Sequence, residues 1–403
     1  MREMRICLFT DTLVDINGVS RFVRNVADQA LSLGRDLHVI TATRFECPAR
    51  PNLINVAPRY ARAMPGYPQL ELAWPRAREM RRVANALGPD AVHVSTPGPV
   101  GTFGRRFALR RGLPLVGTYH TDFPAYIDHL FADRVLTWTC DRIMRRFYRP
   151  FDRIFTRSSD YAEALVNLGI ARRRIERLLP GIDTDTFHTR FRDPSIWERI
   201  GDADGNGSVP KEAVKVLYVG RVSVEKNLPL LTQAWKMLSR DFQNNTGSSP
   251  LHLVVVGDGP YRAQMQAELA GLHAHFLGFR HGVELSTIYA SSDLFAFPST
   301  TDTLGQVVME AQSAGLPVIV TDQGGPSEVV NHGPGPEQSG YVLSGDNASE
   351  WADLIRTLAA DPELRRRVGD AGHRKIQPMG IRGSFQHFWA VHEGAVSEHA
   401  EGF

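Results

Sequence analysis

Residues 294–321 read LFAFPSTTDTLGQVVMEAQSAGLPVIVT. Leu294 to Phe297 form a strand-like apolar run that a Pro-Ser turn stops. Gly305 opens a helix-like segment, and Gly315 ends it before Pro317 starts a second apolar run. Strand, helix and strand in that order imply parallel strands joined by a helical crossover. The start of such a helix offers free N–H groups and a positive dipole end, which suits a phosphate. Asp302 precedes it and Glu310 lies within it, so both carboxylates can accept hydrogen bonds from sugar or ribose hydroxyls. Taken alone, the two acids could equally be a helix-capping Asp and a solvated Glu.

The same alternation extends outward. Strand candidates VKVLYVG, LHLVVVG and AHFLGF precede the run, and MRICLFT, LHVIT, AVHVS, PLVGTY and RIFTR occupy the first half. Helices are predicted to begin near Val19, Leu72, Thr102, Tyr126 and Tyr161. The polar, Gly-rich stretch DADGNGSVPKE separates the two series. A chain of 403 residues exceeds one ordinary core. The pattern therefore predicts two doubly wound α/β domains, 1–185 and 186–377, with ligands at the carboxyl ends of the strands. Segment 378–403, helical and carrying Phe385, Phe388 and Trp389, is expected to pack back onto the first domain.

A hydrophobic share of 42% and a charged share of 22% exclude a disordered or fibrous chain. No apolar stretch is long enough to span a bilayer, and the N-terminus lacks a signal-peptide pattern, so a cytoplasmic location is expected. Cys7, Cys47 and Cys140 have no metal-ligand spacing. The net charge of +2 hides an asymmetry: residues 1–190 hold 29 arginines, no lysine and 19 acids, whereas residues 191–403 hold 17 basic and 25 acidic residues. The basic half suits an anionic partner. Nothing resembles a zinc finger, an RNP segment or a basic heptad region, so nucleic acid is not expected. Segment 134–155, RVLTWTCDRIMRRFYRPFDRIF, mixes six arginines with Trp138, Phe147, Tyr148 and Phe151. It is either a helix for an anionic membrane interface or a crossover helix with its aromatics in the core.

Three further motifs carry candidate chemistry. In YVGRVSVEKN (218–227), Gly220 permits a tight turn, and Arg221 and Lys226 project near a strand end, where two cations can hold a diphosphate. In DINGVSRF (15–22), Gly18 occupies a strand-to-helix turn, with Arg21 following. In GTYHTDFPAYI (117–127), His120 ends a strand, and Asp122 and Tyr126 are candidate acceptor contacts along with Arg21. Two motifs are set aside. Asp183-Thr-Asp185 has a metal-binding spacing but sits in a connecting segment, and the calcium-loop-like start at Asp202 meets Ala213 where a bidentate Glu is required.

Together these motifs resemble the retaining glycosyltransferases of family 4, which have the GT-B fold of two Rossmann-like domains facing across a cleft. The signature there is a Pro-Ser turn, Glu, seven residues, Glu, then Ala-x-x-x-Gly-x-Pro-Val; this chain departs from it in having Asp302 at the first Glu. The register of the Thr-Asp-Thr…Asn-Gly-Val segment is similar to the sulfoquinovosyl and GDP-mannose-dependent mannosyl transferase branch. The resemblance implies a hexose moved from a nucleotide-diphosphate sugar to a lipid or lipid-linked glycan, with no divalent metal. It assigns Arg221 and Lys226 to the donor phosphates, Glu310 to the ribose, and Asp302 and His120 to the sugar. Gly18, Gly220, Gly257, Thr303, Leu304 and Gly305 are implied to line the donor. Two other functions remain open from the sequence: a nucleotide-sugar epimerase of the same fold, and a non-catalytic nucleotide-sugar-binding protein.

Overall fold

The computed structural model describes residues 3–14, 18–64, 67–124, 133–200, 209–244, 251–302 and 304–401. They divide into two units, Met1–Gly181 with Ile381–Phe403, and Ile182–Gly380. The first boundary thus falls at Gly181/Ile182, close to the expected residue 185, and the last segment begins at Ile381.

In the first unit the strands are β1 (Ile6–Phe9), β2 (Leu37–Thr41), β3 (Leu53–Asn55), β4 (Pro58–Met64), β5 (Tyr67–Pro75), β6 (Ala91–Val94), β7 (Leu115–Tyr119), β8 (Arg153–Thr156) and β9 (Ile175–Arg177). Its helices are α1 (Gly18–Ser32), α2 (Ala77–Leu87), α3 (Pro99–Arg111), α4 (Arg134–Tyr148) and α5 (Ser159–Asn167). Seven strands form a parallel sheet in the order β3-β2-β1-β6-β7-β8-β9. All four β1 side chains are buried, because helices cover both faces of a parallel sheet. Ile6 and Leu8 join one core cluster, and Cys7 and Phe9 join the other, as the two-residue period of a strand requires.

No helix begins at Leu72. The chain instead forms the antiparallel β4–β5 hairpin. Ala73 is buried and Trp74 exposed, a period of two, and Trp74 pairs across the hairpin with Tyr60 at 5.7 Å between rings. Helix α2 begins only after Pro75. The helix expected near Tyr126 falls outside the described residues.

In the second unit the strands are β10 (Val214–Val219), β11 (Leu251–Val256), β12 (Ala274–Gly278), β13 (Leu294–Phe297), β14 (Val318–Thr321) and β15 (Gly340–Leu343). The helices are α6 (Ile196–Arg199), α7 (Leu228–Asn244), α8 (Arg262–Glu268), α9 (Gly282–Ser291), α10 (Gln306–Ser313), α11 (Ala348–Ala360) and α12 (Pro362–Ile376). The sheet is parallel, in the order β12-β11-β10-β13-β14-β15. Strand β10 lies between β11 and β13, so connections diverge there and leave a crevice at the carboxyl ends of β10 and β13. Both units are Rossmann-like.

The last helix, α13 (Ile381–Glu401), belongs to the first unit. Phe385, Phe388 and Trp389 pack into the cluster holding Ile6, Leu8 and Val116. A buried polar chain fixes its register. The His392 Nδ1 is 2.7 Å from the Phe388 carbonyl, the His392 Nε2 is 3.1 Å from the His93 Nδ1, and the His93 Nε2 is 3.1 Å from the Thr118 hydroxyl. Neutral rings satisfy all three contacts when Thr118 donates to His93 and His93 to His392. Burial pushes the His392 imidazole down to about 4 and His93 well below its ordinary value. The unfolded chain therefore binds more protons than the folded one below pH 6.5, and stability falls as pH drops from there toward 4. Lowering the pH between those limits is expected to remove about 2–3 kcal/mol of folding stability through His392. His392→Gln, compared by denaturant titration at pH 7 and pH 4.5, is expected to show a flatter pH dependence. An unchanged slope would show that the pair does not couple folding to pH.

Candidate functional site

The site grows from two glycine turns. Strand β10 ends at Val219 and β11 at Val256, and the following residues, Gly220 and Gly257, meet backbone to backbone. A Cβ on Gly257 would lie 2.0 Å from the Gly220 carbonyl oxygen, so no larger residue fits. Gly259 is equally constrained, with the Val222 carbonyl oxygen 2.4 Å from its Cβ position. The GDGP turn is thus a brace for the loop after β10. Within that loop the Tyr218 hydroxyl donates to the Arg221 carbonyl at 2.8 Å. A short 3-10 turn, Val224–Lys226, ends on Asn227 in the left-handed region (φ 54), whose side chain donates to the Gly345 carbonyl at 2.7 Å.

This scaffold places Lys226 against Asp302, 2.8 Å apart and both mostly shielded from solvent. The Asp302 carbonyl accepts a hydrogen bond from Gly325 N at 2.8 Å, which pins the loop after β13 to the loop after β14. Helix α10 has Gly305 as its N-cap, at φ 64, with no side-chain cap. Asp302 is therefore not a capping residue; its carboxylate pairs with the cation of the other loop. Arg221 is 68% exposed and among the described residues its guanidinium reaches Glu225 alone, at 3.4 Å, a weak surface pair. On α10 the Glu310 carboxylate accepts from the Tyr289 hydroxyl at 3.2 Å, and burial raises the Tyr289 phenol. Tyr289 was not among the expected residues; its only mark in the sequence is a hydroxyl amid the apolar spacing of TIYASSD. The Leu304 side chain packs against the core, and Thr303 lies outside the described residues.

In the first unit His120 follows β7 and contacts Ser95 Oγ at 3.2 Å and the Phe22 ring at 5.5 Å. Burial, with Arg157 nearby, pushes its imidazole down to about 3, so it is neutral at physiological pH. Asp122 accepts from the Tyr119 hydroxyl at 3.0 Å, and Arg21 is exposed on α1 near Arg157. Space around Gly18 is open, so packing of the described residues does not demand glycine there. Tyr126 is outside the described residues. One group the sequence did not single out is Asp11. It follows β1 and accepts from Val100 N at 2.7 Å, Gly101 N at 3.2 Å and the Thr96 hydroxyl at 2.7 Å, capping α3. A Cβ on Gly98 would strike its carboxylate. Asp183 serves its own turn, bonding the Thr186 amide at 2.9 Å and hydroxyl at 2.6 Å, and the Asp202 segment is outside the described residues.

Residues 203–375 match the family model described as Glycosyl transferases group 1, and residues 16–186 the one described as Glycosyltransferase Family 4. The chain is 30% identical over 386 residues to a GDP-mannose-dependent alpha-mannosyltransferase of Mycobacterium tuberculosis (strain CDC 1551 / Oshkosh), covering 93% of each protein. The chain belongs to glycosyltransferase family 4. Sulfoquinovosyl transferase SQD2 of Arabidopsis thaliana is also 30% identical, over 301 residues; the match takes in 73% of this chain but only 54% of that protein. A glycosyltransferase from Rickettsia africae ESF-5 shares the fold, with a TM-score of 0.68 at 15% identity, over 98% of this chain and 99% of that one. As a family 4 member, this chain is a GT-B transferase that acts on nucleotide sugars.

The Lys226–Asp302 pair gives this family 4 site a measurable property. A part-exposed ion pair contributes up to about 1 kcal/mol, and any phosphate that bonded Lys226 would compete with Asp302 for the ammonium. Asp302→Asn is expected to tighten binding of free UDP or GDP by roughly threefold while sugar transfer falls at least about tenfold. Calorimetric titration and a transfer assay on the same preparation check this. Weaker nucleotide binding with unchanged transfer would mean that Asp302 only holds Lys226 in place.

Proposed function

We propose that the chain transfers a hexose, with retention of anomeric configuration, from GDP-mannose or a UDP-hexose to a lipid or lipid-linked glycan. The observation that carries the proposal is the gathering of Arg221, Lys226, Asp302 and Glu310 on the loops and helix that follow β10 and β13. In this proposal Arg221 and Lys226 neutralise the departing diphosphate, the usual electrostatic demand of a phosphate leaving group. Glu310, already oriented by Tyr289, holds the ribose, and Asp302 turns from Lys226 to the sugar hydroxyls. The bond from the anomeric carbon to the phosphate oxygen breaks as the bond to the acceptor oxygen forms on the same face. The acceptor's proton passes to the departing phosphate. The near full-length similarity to a GDP-mannose-dependent relative supports GDP-mannose among the donors. His120, kept neutral, is assigned to the sugar by the family resemblance.

A lipid acceptor draws support from α4. Met144, Phe147 and Tyr148 face the core, as the simpler expectation held. Val135, Leu136, Trp138 and Ile143 are nonetheless exposed, with Arg142 stacked 4.9 Å over Trp138 and Arg145, Arg146 and Arg149 on the surface. An exposed apolar strip flanked by arginines suits the headgroup region of an anionic membrane. No helix of the described residues is long and apolar enough to cross one.

Nucleotide release from a panel of UDP- and GDP-sugars, with and without membrane lipid extract, tests the donor and acceptor together. Release is expected for at least one hexose donor and is expected to rise with lipid. Arg221→Ala and Lys226→Ala are each expected to lose about 1.5–3 kcal/mol of donor affinity or transition-state stabilisation. Full activity in both variants would displace the donor site. Changing Arg145, Arg146 and Arg149 together to Gln is expected to weaken co-sedimentation with anionic vesicles at low salt. Failure of the native protein to co-sediment would point to a soluble acceptor.

A further inference from the structure

A groove of about 870 Å³ runs through the first unit between α2, α3 and the end of β5. Helix α3 contributes residues 99, 102, 103, 106, 107, 110 and 111, one continuous face, and α2 contributes residues 77, 81 and 85. The lining is of two kinds. Phe103, Phe107 and Trp74 supply aromatic surface, and Arg81, Arg106 and Arg110 supply guanidinium groups. Among the described residues no Asp or Glu lines it. The three arginines are exposed and enter no ion pair among the described residues. A fourth, Arg111, is held at the far end by Asn85 at 2.6 Å and lies over Phe107.

We propose that this groove binds one molecule of a phosphate-bearing lipid. The phosphate sits on the guanidinium row of Arg81, Arg106 and Arg110, where bidentate charge-assisted hydrogen bonds are available. The chain lies against Phe103, Phe107 and Trp74. Size decides against a bare phosphate, which would leave the aromatic surface uncovered, and the volume is that of a site for a larger organic ligand. Length agrees: the α3 face from 99 to 111 extends roughly 18 Å, enough for a lipid segment. At the mouth, Trp74 and Tyr60 form an exposed aromatic pair, 46% and 57% accessible, of the kind that settles at a bilayer's headgroup level. The groove also continues the basic surface of α4. The Arg105 guanidinium donates to the Phe147 carbonyl at 2.8 Å and stacks over the Phe147 ring; burial lowers its pKa, and Arg106 and Arg146 stand near enough to lower it further. At its other end the groove reaches Pro97, Gly98 and Pro99, just past the carboxyl end of β6 and held there by Asp11. A lipid in the groove thus has one end at the place where this sheet, by its topology, presents ligands. The choice of a lipid over other phosphate carriers rests on the proposed transfer to a lipid-bearing acceptor; the anionic, elongated character of the ligand does not.

The test uses the full chain and short-chain dioctanoyl phosphatidylglycerol below its micelle concentration, followed by tryptophan fluorescence and by calorimetry. Binding is expected, with dioctanoyl phosphatidylcholine at least about tenfold weaker because its net charge is zero. Arg106→Gln with Arg110→Gln is expected to weaken phosphatidylglycerol binding at least about tenfold, and Trp74→Ala to weaken it and remove the fluorescence change. Both are surface changes, and unfolding curves that match the native protein's confirm that the fold persists. The Arg145, Arg146 and Arg149 variant is expected to lose vesicle binding yet keep binding of the single lipid, which separates this site from membrane docking through α4. Native protein that fails to sediment with vesicles but binds the monomeric lipid would overturn the docking and leave the groove standing. Equal affinity in the native and Arg106/Arg110 proteins overturns the groove, as does no binding of the monomeric lipid. Displacement by inorganic phosphate at equal concentration, or tighter binding of a single-stranded oligonucleotide, overturns the lipid as its occupant.

Discussion

The second unit depends on a contact between two stretches of backbone that carry no side chain. Gly257 lies so near the Gly220 carbonyl that a methyl group would sit 2.0 Å from it. This closeness locks the loop after β10 to the loop after β11, with Gly220 N bonded to the Val256 carbonyl and Val222 N to the Asp258 carbonyl. Everything cationic in the site hangs from that loop. Arg221 is fixed by Tyr218 through its carbonyl, and Lys226 by the turn that Asn227 anchors to Gly345. The anionic half is built in the same way, since the Gly324–Gly325 turn grips the Asp302 carbonyl and Gly305 turns the chain into α10. Glycine provides the positions, and the charged side chains provide the chemistry.

Electrostatics follow from this geometry. Lys226 and Asp302 satisfy each other, so neither is a stranded part-buried charge. Arg221 remains exposed with only a weak partner. A ligand carrying two phosphates and a polyol offers a partner to both members of the pair at once. Exchange then leaves the ammonium paired with phosphate and the carboxylate hydrogen-bonded by hydroxyls. The first unit uses the opposite device. Its buried His93 and His392 and its half-buried His120 are held neutral, and the excess of arginine lies in this half of the sequence.

Most of the fold was legible because buried parallel strands are short, apolar and flanked by turn residues. LHLVVV, VKVLYV and LFAF could be little else, and the structure places strands on them. The β4–β5 hairpin was not legible. Its alternation is hidden by arginines and alanines that also suit a helix, and only the pairing of Tyr60 with Trp74 reveals the period. Strand β15, GYVL, follows a Gly- and Pro-rich loop, opens on a glycine and leaves Tyr341, Val342 and Leu343 only half-buried, so it shows no fully buried apolar run. In the candidate site, motif spacing singled out Arg221, Lys226, Asp302 and Glu310. It could not show that Lys226 and Asp302 bond each other, since they stand 76 residues apart and meet only because β10 and β13 are neighbours. Asp11 and Tyr289 escaped for the same reason: each acts on a residue distant in sequence, Asp11 on α3 and Tyr289 on Glu310.

The central claim is that the loops after β10 and β13, with the start of α10, hold the nucleotide diphosphate. Amide hydrogen exchange of the native protein, with and without saturating GDP or UDP, reads that claim directly. Slower exchange is expected in residues 220–227 and 304–310, where backbone N–H groups and their supporting turns would face the ligand. Protection confined to other segments, or none at nucleotide concentrations that support transfer, would contradict it.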